Sequence, residues 1–249
     1  MKKTFFSLVV AAIAAFNLNA GEINVFAAAN VTYAFDELKA EFAKSNPDTK
    51  VTVTLGASGA LSTQVKNGAP ADVFMAANMK FVEDLYDTKF AVTQPVVYAQ
   101  GALALFTIRD IDLAKGINAV EGLKAIAIAN PETAPYGKAS IEALKKAGIY
   151  DKVEKNIVLA KSIGEALSQA LSAADVGFIA ASAMHDEKIA EYKEGKNFIL
   201  IDPALYTPID QGMVILKHGE NNPEAKAFYD FIRSDRAKKI FRKFGYVVP

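Results

Sequence analysis

The sequence predicts an α/β protein built as two lobes, and three observations carry that expectation. Short apolar runs alternate with stretches of helical periodicity from residue 21 onward, a pattern that calls for layered helices on mainly parallel sheets. One apolar segment, Val96–Thr107, is about twice as long as a typical strand, so it can serve two sheets by crossing from one lobe to the other. No repeat, low-complexity tract or Ser/Gly linker interrupts the chain, which places any lobe boundary within strands.

The elements follow in order. Ile23–Ala27 reads as a strand, and Val31, Ala34, Phe35, Leu38 and Phe42 share one face of the helix after it. Lys50–Leu55 alternates as a strand, and Ser58–Asn67 is helical up to Gly68. Val73–Ala76 is a strand and Met79–Lys89 a helix. Beyond the long segment come Ile126–Ala129 (strand), Tyr136–Ala147 (helix), Ile157–Ala160 (strand), Ser162–Ala173 (helix) and Val176–Ala180 (strand). Phe198–Ile201 and Gly212–Leu216 read as further strands. Two helices close the chain, one with Pro223 in its first turn and one capped by Ser234.

The first twenty residues have a different character. Lys2 and Lys3 precede the apolar run "FFSLVVAAIAAF" and a small residue at Ala20, which reads as an export signal with the mature chain starting at Gly21. That run is too short to span a bilayer. Lys and Arg together number 28, as do Asp and Glu, so loss of Lys2 and Lys3 leaves a slightly acidic chain. A nucleic-acid groove, which needs clustered basic residues, is not expected. With no cysteine, disulfides and thiolate metal sites are excluded, and the expected location is a bacterial periplasm.

The chemistry concentrates at four strand-to-helix junctions: Ala27-Ala28-Ala29-Asn30, Gly56-Ala57-Ser58-Gly59, Pro135-Tyr136-Gly137 and Lys161-Ser162-Ile163-Gly164. All but Lys161 are neutral, and most are small or good donors. In open α/β sheets ligands gather at the carboxyl ends of strands, where helix N-termini present unpaired N–H groups and a partial positive charge. Several such ends converging on one point make an anion site without Lys or Arg. Each junction alone is better explained by helix capping and turn geometry than by ligand contact.

Taken in order, "VFAAANVTYAFDELKAEF", "LGASGALSTQVKNGAPADVFMAAN", "NPETAPYGKASIEAL", "SIGEAL", "DVGFIAASAM" and "PEAKAFYDFIRSDRAKKIFRKFGY" resemble the periplasmic molybdate-binding proteins of ABC importers. The resemblance covers nearly all of the chain after Ala20. It implies a periplasmic-binding-protein-like fold whose two α/β lobes, 21–98 with 211–249 and 99–210, close on an oxyanion. It places ligand contacts at Asn30 and Ser58 on one lobe and at Tyr136 and Ile163 on the other, with Ala29 contributing through its backbone N–H. It also implies molybdate or tungstate as ligand, an inner-membrane ABC permease as partner, a monomer, no cofactor and no catalytic step. Two departures stand out. Many resembling proteins have serine where this chain has Asn30, and a ligand-contacting tyrosine where it has Ala180; Tyr136 then supplies the relocated phenol.

Donor-only chemistry suits that ligand. Molybdate is an unprotonated dianion at neutral pH, and a serine hydroxyl, an amide NH₂, a phenol and backbone N–H groups all donate. Monohydrogen phosphate needs an acceptor, and none of the four side-chain positions is acidic. Sulfate, or an organic carboxylate, is the alternative ligand.

Other chemistries fit less well. A phosphate-binding loop ending at Lys138 fails at Glu132 and Ala139. A nucleophile elbow around Ser58 is broken by Ala60. His185 and His218, the only histidines, stand in polar stretches and make no metal-ligand spacing.

Overall fold

The computed structural model describes residues 21–249, so the export signal read at 1–20 lies outside the described residues. Two five-stranded mixed sheets form the two lobes. The first contains β1 (Glu22–Ala28), β2 (Lys50–Gly56), β3 (Val73–Ala76), β4 (Val96–Gly101) and β10 (Ile209–Ile215), in the order β2-β1-β3-β10-β4. The second contains β5 (Leu103–Phe106), β6 (Ile126–Ala129), β7 (Ile157–Ala160), β8 (Val176–Ala180) and β9 (Phe198–Leu200), in the order β7-β6-β8-β5-β9. In each sheet three strands run parallel, and β10 or β5 is inserted antiparallel beside the third.

The long apolar segment divides at Ala102, where β4 ends in one sheet and β5 begins in the other. The chain returns to the first sheet with β10, which starts at Ile209, three residues before the strand read from sequence. A bulge between Gln211 and Gly212 interrupts the pairing of β10 with β4.

Helices α1 (Thr32–Ala43), α2 (Ser58–Lys66), α3 (Met79–Asp87), α7 (Pro223–Ile232) and α8 (Asp235–Lys243) clothe the first sheet. Helices α4 (Pro135–Lys146), α5 (Tyr150–Val153) and α6 (Ile163–Ala170) belong to the second. The apolar stripe of α1 packs as expected: Ala34, Phe35, Leu38 and Phe42 are buried, and the Phe42 ring meets Phe228 edge-on at 5.3 Å. Each such large side chain contributes about 1.5–3 kcal/mol of burial. Phe228, Phe231 and Phe241 of the last two helices, and Phe244 just beyond them, all lie in this core. The other lobe is centred on Leu103, Ile128, Leu144 and Phe178.

Helix ends differ from the expectation by a few residues. Helix α3 stops at Asp87, before Lys89, whose φ of 65° is left-handed. Helix α6 stops at Ala170 rather than Ala173. Helix α4 begins at Pro135, whose missing N–H costs nothing at a first helical position. A 3-10 segment, Leu113–Val120, has no counterpart in the periodicity, because Gly116 at φ 62° breaks it in the middle.

The buried Asp72 accepts from the Asn24 N–H at 2.7 Å and pairs with His218 at 2.9 Å, fastening the turn before β3 to the first lobe. No helix among the described residues is long and apolar enough to cross a membrane.

Candidate anion site

The carboxyl ends of β1, β2 and β3 face those of β6 and β7 across a narrow seam. Ala29, Asn30, Ser58, Tyr136 and Ile163 line one small cavity there, together with Ala28, Gly56, Ala57, Ala77, Ala134 and Pro135. No lining residue carries a charge. The two lobes touch around it: the Gly59 N–H donates to the Thr133 carbonyl at 2.9 Å, and the Ser182 hydroxyl donates to the Asn30 carbonyl at 3.0 Å.

Helix starts differ in how they are capped. Helices α3, α7 and α8 carry Asn78, Asn222 and Ser234 at their N-caps, and each side chain takes a first-turn N–H. Helices α2 and α4 have alanine in that position, Ala57 and Ala134, with no side-chain cap, and α1 and α5 lack a side-chain cap as well. Of the leading positions in α2 and α4, the Gly59 N–H is taken by the Thr133 carbonyl and Pro135 has none; the other N–H groups stay unclaimed by a cap, which costs stability unless something else accepts from them. In α6 the Ser162 hydroxyl takes the Glu165 N–H at 3.2 Å and leaves those of Ile163 and Gly164. Ser58 and Asn30 are thus not N-caps themselves: Ser58 is the first residue of α2, and Asn30 sits in a one-turn 3-10 segment, Ala29–Val31.

Hydrogen bonding fixes the polarity of Ser58. Its Oγ accepts from the Ala77 N–H at 2.9 Å, which leaves the hydroxyl proton to donate. Asn30 is fully buried, and its Nδ2 is engaged by protein, donating to Gln211 Oε1 at 2.8 Å and to Tyr246 Oη at 2.9 Å. Its Oδ1, the other end of the carboxamide, is buried without a hydrogen-bond partner. The Tyr246 hydroxyl in turn donates to the Asn30 carbonyl at 2.8 Å.

Tyr136 is buried with its hydroxyl beside Gly101 and 3.4 Å from Gln211 Nε2. A Cβ on Gly101 would lie 2.0 Å from that hydroxyl, so the glycine makes room for the phenol. Burial pushes the Tyr136 and Tyr98 hydroxyls well above the usual tyrosine range and that of Tyr246 up to about 12. All three phenols keep their protons, and with them their donor capacity, at neutral pH. Ala180, at the end of β8, is buried in the same cluster as Tyr136 but does not line the cavity.

Neighbouring charges are turned away. Lys138 is exposed on α4 and pairs with Glu142 at 3.7 Å. The Glu165 carboxylate accepts from the Lys161 N–H at 2.8 Å. Neither Glu132 nor Glu165 lines the cavity, so neither offers an acceptor to a protonated ligand. No group of three or more His, Cys, Asp or Glu side chains among the described residues could hold a metal ion.

The residues that sequence reading passed over are Gln211, Tyr98 and Tyr246. The Tyr98 hydroxyl donates to Gln211 Oε1 at 2.9 Å, completing a buried network behind Asn30 and Tyr136. Gln211 gave one signal, a carboxamide inside the otherwise strand-like "IDQGMVI".

Residues 23–247 match the family of bacterial extracellular solute-binding proteins. The molybdate-binding protein ModA of Rhodobacter capsulatus is 37% identical, over 92% of this chain and 89% of its own. ModA of Azotobacter vinelandii is 32% identical over 91% and 90%. The solved structure of the Azotobacter vinelandii periplasmic molybdate-binding protein superposes with a TM-score of 0.83 at 33% identity, covering 91% of this chain and 99% of that one. The sulfate-binding protein SubI of Mycobacterium tuberculosis shares the fold at a TM-score of 0.70 and 16% identity, covering 91% and 86%.

Proposed function

Because this chain belongs to the bacterial extracellular solute-binding proteins, we propose that it captures molybdate, and tungstate with it, in the periplasm and delivers it to an ABC permease. Two lobes close on one dianion, and each contributes donors, so the ion stabilises the closed state by contacts that a single lobe cannot provide. The protein acts as a monomeric receptor without a chemical step. Its ligand shell comprises the Ser58 hydroxyl, the side chains of Asn30 and Tyr136, and backbone N–H groups at Ala29 and Ile163.

The observation that carries this reading is the pairing of an uncharged cavity with uncapped helix starts. An anion there accepts from first-turn N–H groups that no side-chain cap claims, and bonds to a charged acceptor are about twice as strong as neutral ones.

Calorimetry of residues 21–249 against molybdate, tungstate, sulfate and phosphate tests the proposal. The expected result is submicromolar binding of molybdate and tungstate with no competition from sulfate. Heat from a carboxylate, with silence toward every tetrahedral oxyanion, would sink it. In the same assay Ser58→Ala is expected to weaken molybdate by about 1–3 kcal/mol, since the anion loses a charge-assisted bond. An unchanged affinity would reduce Ser58 to an anchor for the Ala77 N–H.

A further inference from the structure

One carbonyl oxygen, that of Asn30, receives a hydroxyl from each lobe. Tyr246 donates to it at 2.8 Å from the first lobe, and Ser182 donates at 3.0 Å from the second. A carbonyl oxygen has two lone pairs, so these two donors fill it, and all three residues are buried. Ser182 lies in a 3-10 segment, Ala181–His185, which directly follows β8 and moves with the second lobe. Asn30 follows β1 and moves with the first. The segment is pinned where the chain crosses between lobes, because the Ala181 N–H donates to the Ala102 carbonyl at 2.9 Å. Its far end rests on the first lobe too: a Cβ on Gly245 would lie 2.6 Å from His185 Nε2. Neither Ser182 nor Tyr246 lines the anion cavity.

We propose that Ser182 is a positioning residue for capture: its hydroxyl completes the Asn30 carbonyl only when the lobes are shut, and so sets how long the ion is held. The inference rests on the oxyanion reading, in which Asn30 is a ligand residue. A hydrogen bond of 3.0 Å is lost once its partners stand about 3.6 Å apart, so a modest opening rotation about the crossing at Ala102 breaks it. In the open state Tyr246 still serves the carbonyl, and water reaches the lone pair that Ser182 has left. In the closed state that lone pair is shut away from water, and the Ser182 hydroxyl is its remaining donor. The same bond fixes the peptide that carries Asn30 while its side chain faces the ion. Removing the hydroxyl therefore penalises the closed state and spares the open one.

Capture and release rates of molybdate test this, followed by stopped-flow fluorescence of the nine tyrosines, since the chain has no tryptophan. Ser182→Ala is expected to speed release about fivefold and to leave capture within about twofold, with the melting midpoint of the unliganded protein unchanged. Release at the original rate, or a loss confined to capture, would overturn the proposal.

A second measurement separates this role from a merely structural one. Tyr246→Phe makes Ser182 the sole hydroxyl on the Asn30 carbonyl. In that background Ser182→Ala strands a buried oxygen on closure, and is expected to lower the calorimetric affinity for molybdate at least about 20-fold, against about fivefold in the unaltered chain. Equal losses in the two backgrounds would overturn the shared carbonyl. Should Tyr246→Phe not fold, the rates of Ser182→Ala alone decide the matter. Absence of any molybdate binding by the unaltered chain would instead refute the oxyanion reading, and this inference with it.

Discussion

Gly137→Ala is expected to lower the thermal midpoint by roughly 5–10 °C and to weaken oxyanion binding. Helix propensity alone predicts the opposite, since alanine in place of glycine gains up to about 1 kcal/mol in a helix. Packing decides the sign. A Cβ at this position would lie 1.9 Å from the Ala129 carbonyl oxygen and 2.7 Å from its carbon, and both are backbone atoms of β6. Neither can rotate aside, so the start of α4 must shift and take Tyr136 with it. Overpacking of this kind costs about 1–3 kcal/mol or more, and each kcal/mol moves the midpoint of a chain this size by about 2–4 °C. Calorimetric melting without ligand is the check; a midpoint equal to or above that of the unaltered protein would show that α4 does not approach β6 so closely.

Gly59→Ala should separate closure from folding. Its Cβ would stand 3.0 Å from Thr133 Cα and 3.1 Å from the Thr133 oxygen, across the seam, and 2.9 Å from the tip of the Phe81 ring. The ring can swing away, whereas the Thr133 backbone belongs to the opposite lobe. The cost therefore falls on the contact between lobes, where the Gly59 N–H meets the Thr133 carbonyl. The expected result is about a tenfold loss of molybdate affinity, near 1.4 kcal/mol, with the midpoint of the unliganded protein within 2–3 °C of the original, a small shift that corresponds to about 1 kcal/mol. Undiminished affinity would mean that binding does not require the lobes to come this close.

These substitutions probe contacts of very different legibility. The strands and helices around the site were readable because local patterns make them: apolar alternation in β2, the one-sided stripe of α1, Pro135 at the start of α4. Which junctions face one another became readable only through resemblance, since many open α/β sheets carry similar turns. The network behind the site was not readable at all. Asn30 and Gln211 are 181 residues apart, and no local period links them. Tyr98 and Tyr246 sit in apolar surroundings where an aromatic reads as core, and both are core as well as hydrogen-bonding groups. Gln211 is the exception that sequence permitted, a carboxamide where the alternation called for an apolar side chain.

The alanines at the starts of α2 and α4 carry one more consequence. On the proposed contacts, a receptor that grips through peptide dipoles and a phenol protonated at neutral pH has nothing of its own to titrate there at that pH. Around neutral pH, the strength of such a hold follows the acid chemistry of the captured ion. Acidification that places a proton on the oxyanion would weaken the complex, because that proton finds no acceptor in the wall. Such a protein acts as a gauge of its cargo's charge state as well as a carrier of it.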